Sequence, residues 1–395
     1  MMHILILGGD GYLGWPTAMY FSKKGYAVTV VDNYFRRDIS KESNIGILYP
    51  VPNLEERAAL WHKKTGLEIK VAIFDLNIIE NMESLFNGKV EYKWCIEKKY
   101  TGIPQTVVHY AEQPSAPFSI MSHKNANLTI SNNLIVTNNL MFLVKKYDSE
   151  IHIIKLGTMG EYGTPNIDIE EGWLDVEHKG RKHKFLYPRQ GSSIYHTSKI
   201  MDTDLLWFGV RTWGLRVTDL MQGPVYGLLT EEMEEDENLM SIFNYDEIFG
   251  TVINRFMTMA ISDYPLTIYG KGGQTRGYLN IIDTLQCIFH AASNPASLGE
   301  LRIFNQIVET FSVNEIALIV KDCSKELGYD IQINNIENPR VELEDHYYNP
   351  RYQGLKDLGV KPHPLNKDIM IKMLLIVEKF KKNIDKDLFY NGIKW

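Results

Sequence analysis

His3-Ile-Leu-Ile-Leu7-Gly8-Gly9-Asp10-Gly11-Tyr12-Leu13-Gly14, close to the N-terminus, is the stretch whose reading decides the fold. The apolar run 3–7 has strand character. The glycines behind it satisfy both Gly8-x-x-Gly11-x-x-Gly14 and Gly9-x-Gly11-x-x-Gly14. Such glycines let the backbone turn tightly and approach a pyrophosphate, which rests on the N-terminus of the next helix. A helix-like segment does follow, through Met19, Tyr20 and Lys24, and Gly25 closes it. The next strand, Ala27 to Val31, ends in Asp32, a carboxylate about 20 residues past the glycines, where ribose hydroxyls are received. Strand, glycines, helix, strand and acid in this order predict a dinucleotide-binding unit.

Asp32 favours NAD, because a carboxylate repels the 2′-phosphate of NADP. Asn33 follows it. Arg36 and Arg37 stand close behind, as cover for the adenine, as holders of the pyrophosphate, or as an argument for the phosphorylated cofactor. The carboxylate rule decides for NAD.

Strands and helical patterns alternate onward. Ile69–Phe74 is a third strand, ending at Asp75-Leu76, where an acid and a backbone amide are placed to meet the adenine. Thr106–Tyr110 is the fourth strand and carries His109, expected to be buried and hydrogen-bonded. Asn132–Tyr147 reads as a helix, and Ile151–Leu156 and Leu215–Thr218 as further strands. Repeated units of this kind predict an α/β fold, a doubly wound parallel sheet with right-handed crossovers and a smaller mixed C-terminal lobe. The expected division is 1–220 for the cofactor-binding domain, with segments returning from roughly 245–300, and 221–395 mainly for the lobe. In that second half the acidic run Thr230–Asn238 reads as a solvated surface segment. Tyr269 to Gly277 is a glycine-rich loop with Lys271, Gln274 and Arg276. Asn338-Pro339-Arg340-Val341-Glu342 adds another cation. Two such arginines near glycines suit the diphosphate of a second nucleotide.

The chemistry is written in Thr158 and, 37 residues later, Tyr195-His196-Thr197-Ser198-Lys199. On a helix, residues i and i+4 share a face, so Tyr195 and Lys199 can act on one ligand. An ammonium beside a phenol favours the phenolate and makes it a base near neutral pH. Thr158 can hold the substrate alcohol for it. These are the parts needed to oxidise a secondary alcohol by hydride transfer.

Composition sets bounds. The 395 residues can bury a large core, and a net charge of −7 argues against a general nucleic-acid binder. No apolar run reaches the roughly 18 residues that a membrane span needs. Cys95, Cys287 and Cys323 are too widely spaced for a metal motif or a disulfide framework. The first strand begins at once, leaving no room for a signal or transit peptide, so a reducing cytoplasm is the expected home.

The glycine pattern, Asp32, Thr158 and the Tyr195/Lys199 pair resemble the extended short-chain dehydrogenase/reductase superfamily acting on nucleotide sugars. More narrowly the chain resembles the UDP-sulfoquinovose synthase family over nearly its whole length. The matching runs are Gly8–Tyr12, Val31–Asn33 with Arg36-Arg37, and Lys155-Leu-Gly-Thr-Met-Gly-Glu-Tyr-Gly-Thr-Pro-Asn-Ile-Asp-Ile-Glu-Glu-Gly172. Further ones are Tyr195-His196-x-Ser198-Lys199, Tyr245-Asp246, Phe249–Thr251, Tyr269–Tyr278, Phe304–Gln306, Asn338–Val341 and His346–Asn349. The 155–172 run is the most specific of them.

The resemblance implies conversion of UDP-glucose and sulfite to UDP-sulfoquinovose, formally by an enzyme acting on carbon–sulfur bonds. C4 is oxidised by bound NAD, water is eliminated across C5 and C6, sulfite adds at C6, and C4 is reduced again. It implies Asn132, Gln222 and Val225 at the cofactor, and Gln113, Arg255, Tyr269, Arg340 and Glu342 at the substrate. It also implies a homodimer through Asn132–Tyr147 and Ser193–Val210, and leaves a sulfite-delivering protein as a candidate partner. Two departures matter. The related 4,6-dehydratases carry an Asp-Glu pair after the Thr, the general acid and base of their elimination; here stand Met159 and Gly160, with Glu161 one place further on. Either Glu161 is recruited or His196 moves the proton, and Met159 either serves the site or fills a core gap. Relatives also carry an Arg between Gln113 and Ser115; here Pro114 leaves His196, Arg189 or backbone amides to hold the sulfite. The competing readings are a UDP-glucose/galactose 4-epimerase and a non-enzymatic NAD-binding regulator.

Overall fold

The computed structural model describes residues 2–43, 45–338 and 347–390. Its strands, in chain order, are β1 (His3–Leu7), β2 (Ala27–Asp32), β3 (Lys70–Ile73), β4 (Thr106–His109), β5 (His152–Thr158), β6 (Trp173–His178), β7 (Arg181–Leu186), β8 (Arg216–Gln222), β9 (Val225–Tyr226), β10 (Leu266–Tyr269), β11 (Thr275–Asn280), β12 (Leu301–Gln306), β13 (Glu309–Ser312) and β14 (Ile333–Ile336). The helices are α1 (Gly14–Lys23), α2 (Phe35–Glu42), α3 (Leu54–Thr65), α4 (Ile79–Asn87), α5 (Ala116–Ile120), α6 (His123–Tyr147), α7 (Ile194–Trp213), α8 (Val252–Ile261), α9 (Ile281–Ser293), α10 (Val313–Glu326), α11 (Gly354–Asp357) and α12 (Lys367–Lys379).

Seven parallel strands form one sheet in the order β12-β8-β5-β4-β1-β2-β3. The order reverses beside β1, between β2 and β4, which is where an open sheet binds ligands. All of β1 is buried because helices cover both faces, so its sequence is a continuous apolar run. Its side chains alternate between two cores. Ile4 and Ile6 join Trp15 and Met19 of α1, Trp61 of α3 and Ile288 of α9. Leu5 and Leu7 join Phe86 of α4, Leu140 of α6 and Leu206 of α7. A third core holds Met257 of α8, Leu266 of β10, Val320 of α10 and Leu374 of α12.

The fold differs from expectation in five places. The seventh strand, β12, and the hairpin β6–β7 were not read from the sequence. α6 begins at His123, capped by Ser122, whose side chain accepts from Asn125 N; its first turns are polar and carry no apolar period. The acidic run is not simply solvated. Glu232 and Met233 are buried, Glu231 reaches Lys23 at 2.9 Å, and Trp15 Nε1 donates to Leu239 O at 2.9 Å, so the run folds down over α1. His109 is buried and meets Thr137 Oγ1 through Nε2 at 3.1 Å, but its Nδ1 has no hydrogen-bond partner among the described residues.

Candidate active site

A cavity of about 410 Å³ opens at the carboxyl ends of β1, β2, β4 and β5. One end is built by the glycine turn. A Cβ on Gly14 would stand 2.0 Å from Gly8 O, so only glycine lets α1 start this close to the strand. Gly8, Asp10, Gly11, Tyr12, Leu13 and Gly14 line this end. Asp32 lines it too, its Oδ2 accepting from Asp10 N at 2.9 Å and its Oδ1 from Tyr34 N at 2.8 Å. Burial, and then the charge of Asp10, push the Asp32 carboxyl up to about 6. Asn33, Arg36, Asp75, Leu76, Asn132, Gln222 and Val225 are on the same walls. Gly9 and Arg37 are not. Gly9 packs on Val30, and Arg37 grips Asp10 with two nitrogens at 2.6 and 2.7 Å while bonding the carbonyls of Val51 and Pro52. Arg37 is therefore structural, committed to Asp10, and does not face the cavity.

At the other end β5 delivers Thr158. The turn after it is a capping box: Thr158 Oγ1 accepts from Gly160 N at 3.2 Å, and Glu161 Oε1 accepts from Thr158 N at 3.1 Å. The box points Glu161 inward, where it is fully buried between Lys155 (3.4 Å) and Arg189 (2.8 Å). Glu161 is thus not the recruited acid, and Arg189 is committed behind the site. Met159 also points away, into the core beside Tyr162 and Leu206. Gly160 has a different part. A Cβ there would stand 2.3 Å from His196 Nε2, so the bare backbone is what gives the imidazole its place. His196 lines the cavity, with Nδ1 3.1 Å from both Ser192 Oγ and Ser193 Oγ.

Ser193 caps α7, its Oγ accepting from His196 N at 3.1 Å, and Tyr195 N donates to Ser119 Oγ at 3.0 Å. These bonds present Tyr195 to the cavity. Burial raises the Tyr195 phenol far above its ordinary value, with Glu112 the next contributor. Lys199 lies just behind, buried, its ammonium donating to Glu112 Oε2. Burial pulls that ammonium down, but Glu112 and Asp202 more than offset it. Glu112 lines the cavity and was missed in the sequence; the available signal was an acid just past the carboxyl end of the fourth strand.

A second cavity of about 220 Å³ shares Pro117, Pro224, Ile248 and Thr251 with the first and is lined by Arg255, Tyr269, Gln274 and Arg276. Arg255 NH2 donates to Tyr269 Oη at 2.8 Å, and Tyr269 Oη to Glu247 Oε1 at 3.0 Å. Lys271 lines neither cavity and is exposed. Gln113 is buried in bonds to Ser115 and Thr129, away from both cavities. Arg340 and Glu342 lie outside the described residues.

The cavity, its glycine-framed helix start and the Asp32 carboxylate fit a dinucleotide, with Thr158 and Tyr195 on the same walls. A model of the NAD dependent epimerase/dehydratase family matches residues 4–305. The chloroplastic UDP-sulfoquinovose synthase of Spinacia oleracea is 43% identical over 99% of this chain and 79% of its own. The UDP-sulfoquinovose synthase of Sulfolobus acidocaldarius is 42% identical over 95% of this chain and 93% of its own. Among solved structures, UDP-glucose 4-epimerase of Bifidobacterium longum in complex with NAD+ and UDP shares the fold at TM-score 0.68 and 19% identity, over 96% of this chain and 98% of that one. The chain belongs to the NAD dependent epimerase/dehydratase family and, within it, to the family of the UDP-sulfoquinovose synthases. NAD is its cofactor. No helix among the described residues is long and apolar enough to cross a membrane.

Proposed function

We propose that the chain converts UDP-glucose and sulfite into UDP-sulfoquinovose and water. The likeness to two UDP-sulfoquinovose synthases, at 42% and 43% identity over nearly the whole chain, carries this reading. The cavity supports it, because Thr158, Tyr195 and His196 converge there beside the dinucleotide glycines. Tyr195, as phenolate, accepts the C4 hydroxyl proton while Thr158 holds that oxygen. NAD, when bound, supplies the hydride acceptor for C4 and later the hydride that restores it. The C4 carbonyl acidifies the C5 hydrogen. His196 takes that proton and protonates the departing C6 hydroxyl, so water leaves and a C5=C6 bond conjugates with the carbonyl. The sulfur lone pair of sulfite bonds to C6, the C5=C6 pair moves onto the C4 oxygen as an enolate, and C5 takes a new proton from solvent through His196 as the C4 carbonyl re-forms. With Pro114 in place of the relatives' Arg, His196 and backbone amides hold the sulfite. No carboxylate stands at 159 or 160 to repel it.

The uridine diphosphate occupies the second cavity, with Arg276 and Arg255 near its phosphates. Residues 1–220 with the returning segments hold the cofactor, and the remainder mainly the sugar nucleotide. The chain pairs with a second copy through α6 and α7, and a sulfite-delivering protein is a further partner. Free thiols at Cys95, Cys287 and Cys323 suit a reducing compartment such as the cytoplasm.

An epimerase would share Thr158, Tyr195 and Lys199 but would leave C5 untouched. Incubation with UDP-glucose and NAD in deuterium oxide, without sulfite, separates the two: deuterium should enter C5. Retention of the C5 hydrogen with accumulation of UDP-galactose would make the chain an epimerase.

A further inference from the structure

The Tyr195/Lys199 pair is not set to act as it stands. Lys199 is spent on Glu112, and both side chains are nearly sealed from solvent, at 3% and 6% exposure. Glu112 Oε1 has no hydrogen-bond partner among the described residues and lies 3.6 Å from His109 Nε2. The surrounding ionisable groups come from every neighbouring element. His109 and Glu112 come from β4 and its end, Lys155 from β5, Glu161 from the turn after it, His196 and Asp202 from α7, and Asp219 from β8. α6 brings only uncharged Asn132, Asn133 and Thr137. Burial, then the charge of Glu112, raise the Asp202 carboxyl well above its ordinary value, and burial, then Lys199, lower the His109 imidazole well below its own, so both are pushed toward their neutral forms. Three buried cations, Lys155, Arg189 and Lys199, are paired with three carboxylates, Glu112, Glu161 and Asp219. Each cation is thus already taken by a carboxylate. A phenolate at Tyr195 would add a further negative charge, which is costly in a buried volume.

We propose that Glu112 is a positioning residue that holds the Lys199 ammonium in a counter-ion pair, which the cofactor's ribose must displace, and so restrains Tyr195 from acting as a base until NAD is seated. Glu112 is suited to this because it lines the cofactor cavity while Lys199 stands behind it. Release of Lys199 leaves its charge to the phenolate and the ribose. The restraint costs affinity, since seating the cofactor strands a buried carboxylate. The proposal rests on the NAD reading and not on the identity of the sugar or on sulfite.

Calorimetric titration of the full chain, freed of nucleotide, with NAD tests it. Glu112→Gln keeps the shape and removes the charge, and should bind NAD roughly tenfold more tightly than the native chain. Lys199→Met alone and with Glu112→Gln closes a double-mutant cycle, in which the gain must vanish without Lys199. In Glu112→Gln the rise of kcat/KM with pH should also move to lower pH, because the phenolate then forms more readily; a merely structural glutamate would not move it that way. Equal or weaker NAD binding in Glu112→Gln, or a gain that survives the loss of Lys199, overturns the proposal. Should Glu112→Gln fail to fold by circular dichroism, Glu112→Asp, which keeps the charge but shortens its reach to Lys199, must show a smaller gain in the same direction, and no gain overturns it. Failure of the synthase reading would appear separately, as no sulfonated product from any variant, with the binding contrast unaffected.

Discussion

Gly160 and His196 were met in the sequence as an absent acid and an adjacent histidine. In the folded chain they are one feature. The imidazole fills the volume that a Cβ on Gly160 would need, so a side chain at 160 and a ring in this place exclude each other. Gly160→Ala should therefore leave the fold and NAD binding intact but displace the ring. A misplacement of about 1 Å in a proton-transfer group costs on the order of 10²-fold in rate. The expected result is a loss of that size in kcat for C5 exchange, with little change in KM. Unchanged exchange in Gly160→Ala would remove His196 from the elimination.

The turn that follows β5 shows what local reading gains and misses. Thr158-Met-Gly-Glu161 has the pattern of a capping box, and reading it as one would have turned Glu161 away from the cavity at once. Glu161 is instead the acceptor for Thr158 N and the counter-charge of Lys155 and Arg189. Glu161→Ala leaves two buried cations without it and should destabilise the chain by about 3–5 kcal/mol, visible as a large drop in Tm. A stable variant with only kcat impaired would return Glu161 to the chemistry. The β1–glycine–α1–β2 unit was legible because each signal in it is local: a continuous apolar run, close-packed glycines and a terminal acid. β12 was not, since it joins the sheet beside β8 after a long excursion and ends in polar Asn305 and Gln306, which are buried by that pairing. Glu112 escaped for the same reason; only the fold brings it to Lys199.

α6 and α7 pack on one another and still leave Ile135, Phe142, Met201 and Phe208 between 42% and 49% exposed. Four large apolar side chains on two adjacent helices are more than a solitary chain needs at its surface. Sedimentation at micromolar concentration should show twice the chain mass, and Phe142→Glu with Phe208→Glu should return it to a monomer. A native monomer would exclude the pairing. At the scale of the whole molecule the proposed function makes one demand that outweighs the others: hydride taken from C4 should go back to C4, so that the sugar nucleotide gains sulfite without net oxidation. Mass spectrometry of the sugar nucleotide after incubation with UDP-glucose, NAD and sulfite tests this directly. A product heavier than UDP-glucose by sulfite less water, with NAD regenerated, is the expected result. Accumulation of a 4-keto-6-deoxy sugar, or no response to sulfite, would contradict it.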